Sequence, residues 1–175
     1  MAREIVYTGR RVSVAIDTFT APDGTTVRRD FILHPGAVVI LPVLDAENVV
    51  LLRNQRWVVG ETLWEVPAGT REPNEPLVEC AKRELAEETG YTAARWTYLG
   101  YLYASPGVMN EQLHLFIAED LTPGQMALEA DEQLEPVTVP LTEAVRMCLS
   151  GEVKDAKTIA SLLLWERKKK ANGAT

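Results

Sequence analysis

Apolar residues alternate with small or polar ones at Val12, Val14 and Ile16, the period-two pattern of a half-buried strand. Pro22-Asp23-Gly24 marks a turn, and residues 26–33 read as the returning strand of a hairpin. His34-Pro35-Gly36 interrupts the pattern. Residues 37–44 (AVVILPVL) then form an almost continuous apolar run, with Pro42 pointing to a strand edge or bulge. Residues 49–52 (VVLL) read as a second buried strand, reached through the polar turn 45–48.

The period changes after residue 75. Residues 75–89 are helical in composition, with Pro76 placed for the first turn and Gly90 for the C-terminal cap. Leu77, Ala81 and Leu85 recur at i+4 beside Cys80, so one helix face is apolar. Strands are expected at 96–104, 113–118 and 137–139, and an acidic loop at 121–135. Residues 141–149 predict a short helix ended by Ser150-Gly151. Residues 155–169 predict a longer one with Ile159, Leu162, Leu163 and Trp165 turned inward, and 171–175 read as a frayed tail.

Composition narrows the class without changing this order. The chain has 175 residues, is 46% hydrophobic and carries a net charge of −7. That suits one main domain with a sizeable core, and excludes collagen-like, disordered and disulfide-scaffold proteins. No apolar run has the length of a membrane span or a secretory signal, so no membrane partner is expected. Cys80 and Cys148 read as reduced core residues, in keeping with a cytoplasmic location. The acidic balance argues against nucleic acid as a partner, and Lys168-Lys169-Lys170 reads as a solvated helix end.

The chemistry concentrates on the first helix. Glu84 and Glu88 are spaced i,i+4 and Glu84 and Glu87 i,i+3, so three carboxylates converge on adjoining surface. Like charges at these spacings cost about 0.2–0.5 kcal/mol per pair, and anions in the last turn oppose the helix dipole. Arg83 relieves Glu87 without cancelling the cluster. A solvated acidic face is the plain alternative. The preceding loop, Pro67-Ala68-Gly69 followed by Arg71 and Glu72, adds carbonyl and carboxylate oxygens. Hard oxygen donors of this kind suit Mg²⁺, which also bridges to phosphates.

Residues 69–91 read GTREPNEPLVECAKRELAEETGY. This segment resembles the Nudix box: Gly, five residues, Glu, seven residues, then Arg-Glu-aliphatic-any-Glu-Glu-any-Gly-bulky apolar. Gly69, Glu75, Arg83, Glu84, Leu85, Glu87, Glu88, Gly90 and Tyr91 fill every fixed position. Residues 63–69 (LWEVPAG), and Ser105-Pro106-Gly107 followed by Glu111, resemble the ADP-ribose pyrophosphatase branch of that family.

The resemblance implies an α/β fold of α+β type: an α/β/α sandwich with a mixed sheet. A small antiparallel N-terminal sheet over residues 1–36 would build a homodimer, and residues 37–170 would form the hydrolase domain. It implies Mg²⁺, with Mn²⁺ as a substitute, held by Glu84, Glu87, Glu88 and the Ala68 carbonyl. Arg83 would orient the carboxylates and Glu75 would support the loop, with Gly69 and Gly90 serving the backbone. Glu87, Glu88, Arg83 and a mobile Glu132 from the acidic loop are the expected catalytic groups. Arg56, Glu72, Glu111, Arg29, Ser105 and Pro106 are expected to serve the substrate, a nucleoside diphosphate-linked small molecule. ADP-ribose, cleaved to AMP and ribose 5-phosphate, is the implied substrate.

The sequence departs from the branch at Val108 and Asn110, where an aromatic and an acid are usual, and at Asp30, which follows Arg29 in place of Glu. These departures keep nucleotide sugars such as GDP-mannose or ADP-glucose open as the alternative. A non-catalytic nucleotide-sensing module is a further alternative, opposed by the intact box glutamates. His34 and His114 read as structural, since neither has a partner histidine at metal spacing. Trp57 and Trp64 read as core or interface aromatics, with base stacking as the alternative, and Arg53 reads as a surface residue.

Overall fold

The computed structural model describes residues 2–128, 130 and 132–172. Of the expected acidic loop, Glu129 and Asp131 lie outside the described residues, as do Met1 and the tail residues 173–175.

The apolar run after Gly36 becomes the central strand. In chain order the first three strands are β1 (Ala2–Thr8), β2 (Ser13–Thr20) and β3 (Thr26–Leu33), followed by β4 (Ala37–Pro42). Every residue of β4 is buried, because both of its faces are covered. Val39 and Leu41 face a core with Leu51, Leu115, Ile117, Met147 and Leu162. Val38 and Ile40 face a second core with Cys80, Ala81, Leu85 and Phe116. Strand alternation thus sends one segment into both sides of a sandwich.

The remaining elements are β5 (Asn48–Arg56), β6 (Glu61–Glu65), β7 (Ala68–Thr70), α1 (Leu77–Thr89), β8 (Tyr91–Tyr103), β9 (Gln112–Pro123), β10 (Leu134–Pro140), α2 (Leu141–Ser150) and α3 (Ala156–Asn172). A four-stranded sheet has the order β7-β4-β9-β8. The β4–β9 pairing is parallel and its other pairings antiparallel, so the sheet is mixed. A second sheet, β10-β5-β6, is antiparallel. Strands β1-β2-β3 form a separate antiparallel sheet. Helix α1 covers one face of the mixed sheet, and α2 and α3 lie on the opposite core. This is the α/β/α sandwich with a mixed sheet that the resemblance implies.

Several boundaries differ from expectation, each for a long-range reason. Pro76 has ψ 140°, so it stands before the helix, and α1 begins at Leu77. Glu75 therefore belongs to the loop. The expected loop 121–135 is shortened at both ends: β9 runs on to Pro123 because Tyr91 pairs with it, and β10 begins at Leu134 opposite Asn54. Strands β6 and β7 were not legible, being short and held by pairing with β5 and β4. In β2 the more buried face is Ala15 and Asp17 rather than Val14 and Ile16, which are half-buried. Asp17 is held there by Arg3, through two bonds of 2.8 and 2.9 Å. Pro42 ends β4 beyond the stretch paired with β7, where no N–H is needed on that side. The last helix extends to Asn172, past the expected end of the fold. Among the described residues no helix is long and apolar enough to cross a membrane.

Candidate active site

Helix α1 is set by its apolar stripe, and the stripe decides where the carboxylates go. Cys80, Ala81 and Leu85 pack on the mixed sheet, which rolls Glu84 and Glu88 to the edge of that interface. Both are buried, at 8% and 4% exposure, while Glu87 is half-buried. Gly90 ends the helix in the left-handed region at φ 73° and donates its N–H to the Ala86 carbonyl.

Strand β7 passes directly beneath. A Cβ on Gly69 would fall 1.8 Å from the Glu84 carboxyl carbon, so only glycine leaves room for that carboxylate. The Ala68 N–H donates to Glu88 Oε2 at 2.9 Å. Arg83 ties the cluster together. Its Nη1 donates to Glu84 at 2.7 Å and to Glu87 at 3.0 Å. Its Nε and Nη2 donate to the two oxygens of Glu75 at 2.9 and 3.1 Å. Glu75 also accepts from the Glu72 N–H at 3.0 Å. The Arg83 bonds hold the Glu75 carboxyl at about 2, far below its ordinary range.

One cation cannot serve every carboxylate. Burial raises the Glu84 pKa despite Arg83. Burial, reinforced by the charges of Glu84 and Glu132, pushes Glu88 up to about 8, against the opposing Ala68 N–H. Among the described residues no group of three or more acidic, His or Cys side chains is arranged to hold a metal ion. Glu84 and Glu87 instead turn onto Arg83.

These groups open onto a cleft of about 960 Å³. Of the residues singled out in the sequence, Ala68, Gly69, Glu72, Arg83, Glu84, Glu87, Glu88, Glu111, Glu132 and Arg56 line it. Gly90 lies outside it as the helix cap, and Glu75 stands behind Arg83. Arg29 lies exposed on β3 opposite Asp17, and Ser105 and Pro106 are exposed; none of the three lines the cleft of this chain. The Ser105 carbonyl accepts from the Val108 and Met109 N–H groups, closing a tight loop. That loop is stitched to β3: the Ile32 N–H donates to the Val108 carbonyl, and the Asn110 N–H to the Ile32 carbonyl. Asn110 Oδ1 accepts from the His34 N–H at 2.7 Å. Asn110 therefore fastens the loop to the first sheet, and Val108 is exposed.

Glu111 Oε1 lies 3.4 Å from His34 Nδ1, but that nitrogen already accepts the Gly36 N–H at 3.1 Å. The shorter backbone bond takes the lone pair, so Glu111 gains no donor there and stays an acceptor facing the cleft. His114 accepts or donates to the Tyr98 hydroxyl at 3.0 Å, away from the cleft. Trp64 packs on the core with Arg53 over its ring at 4.7 Å, whereas Trp57 is exposed at the cleft rim.

The opposite wall was largely missed from sequence. Arg56 forms a two-pronged pair with Glu65, at 2.7 and 2.6 Å. Lys157 donates to the same Glu65 at 2.7 Å and pairs with Asp155 at 3.0 Å. Lys157, Asp155 and the turn residues Arg10 and Arg11 all line the cleft. One signal existed: Glu65 is a lone charge inside the apolar stretch LWEV, a pattern that requires a buried partner. Nothing local pointed to Lys157, which reaches Glu65 across 92 positions of chain.

A mixed-sheet sandwich thus carries a carboxylate-rich helix beside a cleft lined by carboxylates and cations together. Residues 33–162 match the NUDIX domain, and the chain belongs to the Nudix family. It is 36% identical over 160 residues to an ADP-ribose pyrophosphatase of Bacillus subtilis (strain 168), covering 90% of this chain and 86% of that relative. It is 38% identical over 137 residues to a GDP-mannose pyrophosphatase of Citrobacter koseri, covering 73% and 71%. A solved structure described as an ADP compounds hydrolase superposes with a TM-score of 0.84 at 25% identity, covering 100% of this chain and 95% of that one.

Proposed function

We propose that this protein hydrolyses the diphosphate of ADP-ribose to AMP and ribose 5-phosphate, using a divalent cation, Mg²⁺ or in its place Mn²⁺. The observation that carries this reading is that Glu84, Glu87, Glu88 and Glu132 all line a single cleft, with Arg56 on the lining as well. The donor set fits a hard cation. Two of these carboxylates are buried with raised pKa values, the condition of anions short of positive charge. A divalent ion held there would supply charge stabilisation for the transition state and acidify water. Glu84, Glu87, Glu88 and the Ala68 carbonyl would hold it.

The chain's own groups account for the rest. Arg83 fixes Glu84 and Glu87 relative to Glu75, so the carboxylates meet the ligand with little reorganisation. A carboxylate of the cleft takes the proton of the attacking water, and Glu88 and Glu132 both line it. Arg56 presents positive charge to the phosphates, and Glu72 and Glu111 accept from sugar hydroxyls. Similarity to the Bacillus subtilis ADP-ribose pyrophosphatase over most of both chains supports the substrate. The second reading, a nucleotide-sugar pyrophosphohydrolase, draws on the GDP-mannose pyrophosphatase relative and on Val108 and Asn110.

The same reading includes a homodimer built through the N-terminal sheet over residues 1–36, in a cytoplasmic protein with reduced cysteines. Supporting it, β1 is exposed along its whole length, including Ile5, Val6 and Tyr7. A sheet edge with apolar side chains seeks a partner. Arg29, Ser105 and Pro106 would then act on a site completed by the second copy. The test is kcat/KM for ADP-ribose, GDP-mannose and ADP-glucose at equal Mg²⁺, with EDTA controls and light scattering. ADP-ribose should lead, activity should vanish in EDTA, and the mass should be that of a dimer. A higher kcat/KM for GDP-mannose or ADP-glucose would transfer the assignment to the second reading.

A further inference from the structure

The buried carboxylate of Glu65 lies one wall away from the acidic helix, and no step above uses it. At 1% exposure it is more buried than any carboxylate of α1. Its environment is fully built. Arg56 grips both oxygens, and Lys157 adds a third bond. Lys157 is itself pinned to Asp155, whose other oxygen accepts from the Thr158 N–H. Thr158, fully buried, accepts in turn from the Val66 N–H, next in sequence to Glu65. The chain of contacts ties the end of β6 to the start of α3.

A buried ion pair is weak evidence for stability, since apolar residues of the same volume often do as well. What it provides here is direction. The side chain of Arg56 is 42% exposed and lines the cleft, so one edge of the guanidinium is spent on Glu65 and the rest is free to face a ligand. Glu88 also lines the cleft, near enough for its charge to act on Arg56, and Glu132, beside the end of β5, is near enough to act on Glu88. An arginine without a fixed anchor would be drawn to those carboxylates and neutralise them.

We propose that Glu65 is a positioning residue: it holds Arg56 on its own wall, keeping the guanidinium aimed at the substrate diphosphate and off the carboxylates of α1. Lys157, Asp155 and Thr158 are the frame that holds Glu65. The inference rests on the proposed diphosphate chemistry.

The test is a double-mutant cycle on Glu65→Gln and Arg56→Ala. Two readouts are taken: the Kd for ADP-ribose by calorimetry in EDTA, where there is no turnover, and the Mg²⁺ concentration giving half-maximal rate. Glu65→Gln alone should weaken binding about tenfold or more and raise the Mg²⁺ requirement, because the freed Arg56 competes at the carboxylates. In the Arg56→Ala background the same substitution should change Kd by less than about twofold and leave the Mg²⁺ requirement unchanged. Multiplicative effects, or an unchanged Kd in a folded Glu65→Gln protein, would overturn the proposal. If Glu65→Gln does not fold, Arg56→Lys replaces it. That variant keeps the charge but loses the two-pronged grip, and should weaken binding nearly as much as Arg56→Ala; wild-type affinity would overturn the proposal. A wild-type protein that turns over another nucleoside diphosphate compound but not ADP-ribose removes the substrate assignment alone. The cycle run on that compound then decides the role of Glu65.

Discussion

The two walls of the cleft contain the same side chain at similar burial with opposite electrostatics. Glu65 and Glu88 are 1% and 4% exposed. Desolvation is the largest influence on both, and it disfavours the charged form in each. Glu65 nevertheless lies below its ordinary pKa, because Arg56 and Lys157 are in contact with it. Glu88 has one backbone N–H, two anionic neighbours and Arg56 acting on it only through its charge, and under the desolvation it rises to about 8. Burial is therefore not what separates a carboxylate held charged from one whose charged form is disfavoured. The supply of partners is. One wall is electrostatically complete, and the other is short of positive charge, as the proposed cation site requires.

That contrast can be broken most forcefully on the acidic side. Glu88→Gln keeps the shape and removes the charge. It should lower kcat about a hundredfold or more if the carboxylate holds the metal or takes the proton. Its melting temperature should stay level or rise, since the cost of burying an ionisable carboxyl, and with it the repulsion of Glu84 and Glu132, is removed. Near-normal turnover in this variant would end the metal-site reading.

Gly69→Ala sharpens the comparison with a smaller change. The new methyl would occupy the place of the Glu84 carboxyl group. Because that group is the end of a flexible side chain, it can swing aside, and the stability loss measured in urea should be within about 1 kcal/mol. The activity loss should be much larger, about tenfold or more, with a raised Mg²⁺ requirement. Equal losses of stability and activity would show that the glycine serves the backbone alone.

The smallest effect concerns the one carboxylate beside the acidic wall that is fully satisfied. Glu75 has its pKa depressed to about 2 by Arg83. A depressed folded-state pKa adds stability above the unfolded value, near 4.5, and that addition is lost as the pH falls toward 2. Thermal melts of the wild type and Glu75→Gln should therefore differ most at neutral pH and converge between about pH 4.5 and 2. A constant gap across that window would show that the Arg83 contact is not what stabilises the charged form.

The acidic wall was legible because it is local. Glu84, Glu87 and Glu88 share a helix, and helical periodicity alone places them on adjoining surface. Gly69 and Glu75 stand at fixed distances along the same segment. The cationic wall was not legible, since Arg56, Glu65 and Lys157 come from β5, β6 and α3, and nothing in their spacing along the chain requires them to meet. The strand boundaries divide in the same way. The apolar run of β4 is self-evident, whereas β7 is a strand only because β4 lies beside it.

By itself, then, the sequence determined the principal strands and helices in order, short of β6 and β7, together with the carboxylate helix and the family. These depend on periodicity, turn residues and a contiguous motif, all of which act over a few residues. Only the tertiary structure decided which carboxylates are starved of cations and which are paired, that Arg56 is held by Glu65, and that Asn110 fastens the Ser105-Pro106-Gly107 loop to β3. Those outcomes depend on desolvation and on distances below about 3 Å between segments far apart in the chain. Coulombic and hydrogen-bond energies vary steeply over such distances, and chain order does not set them.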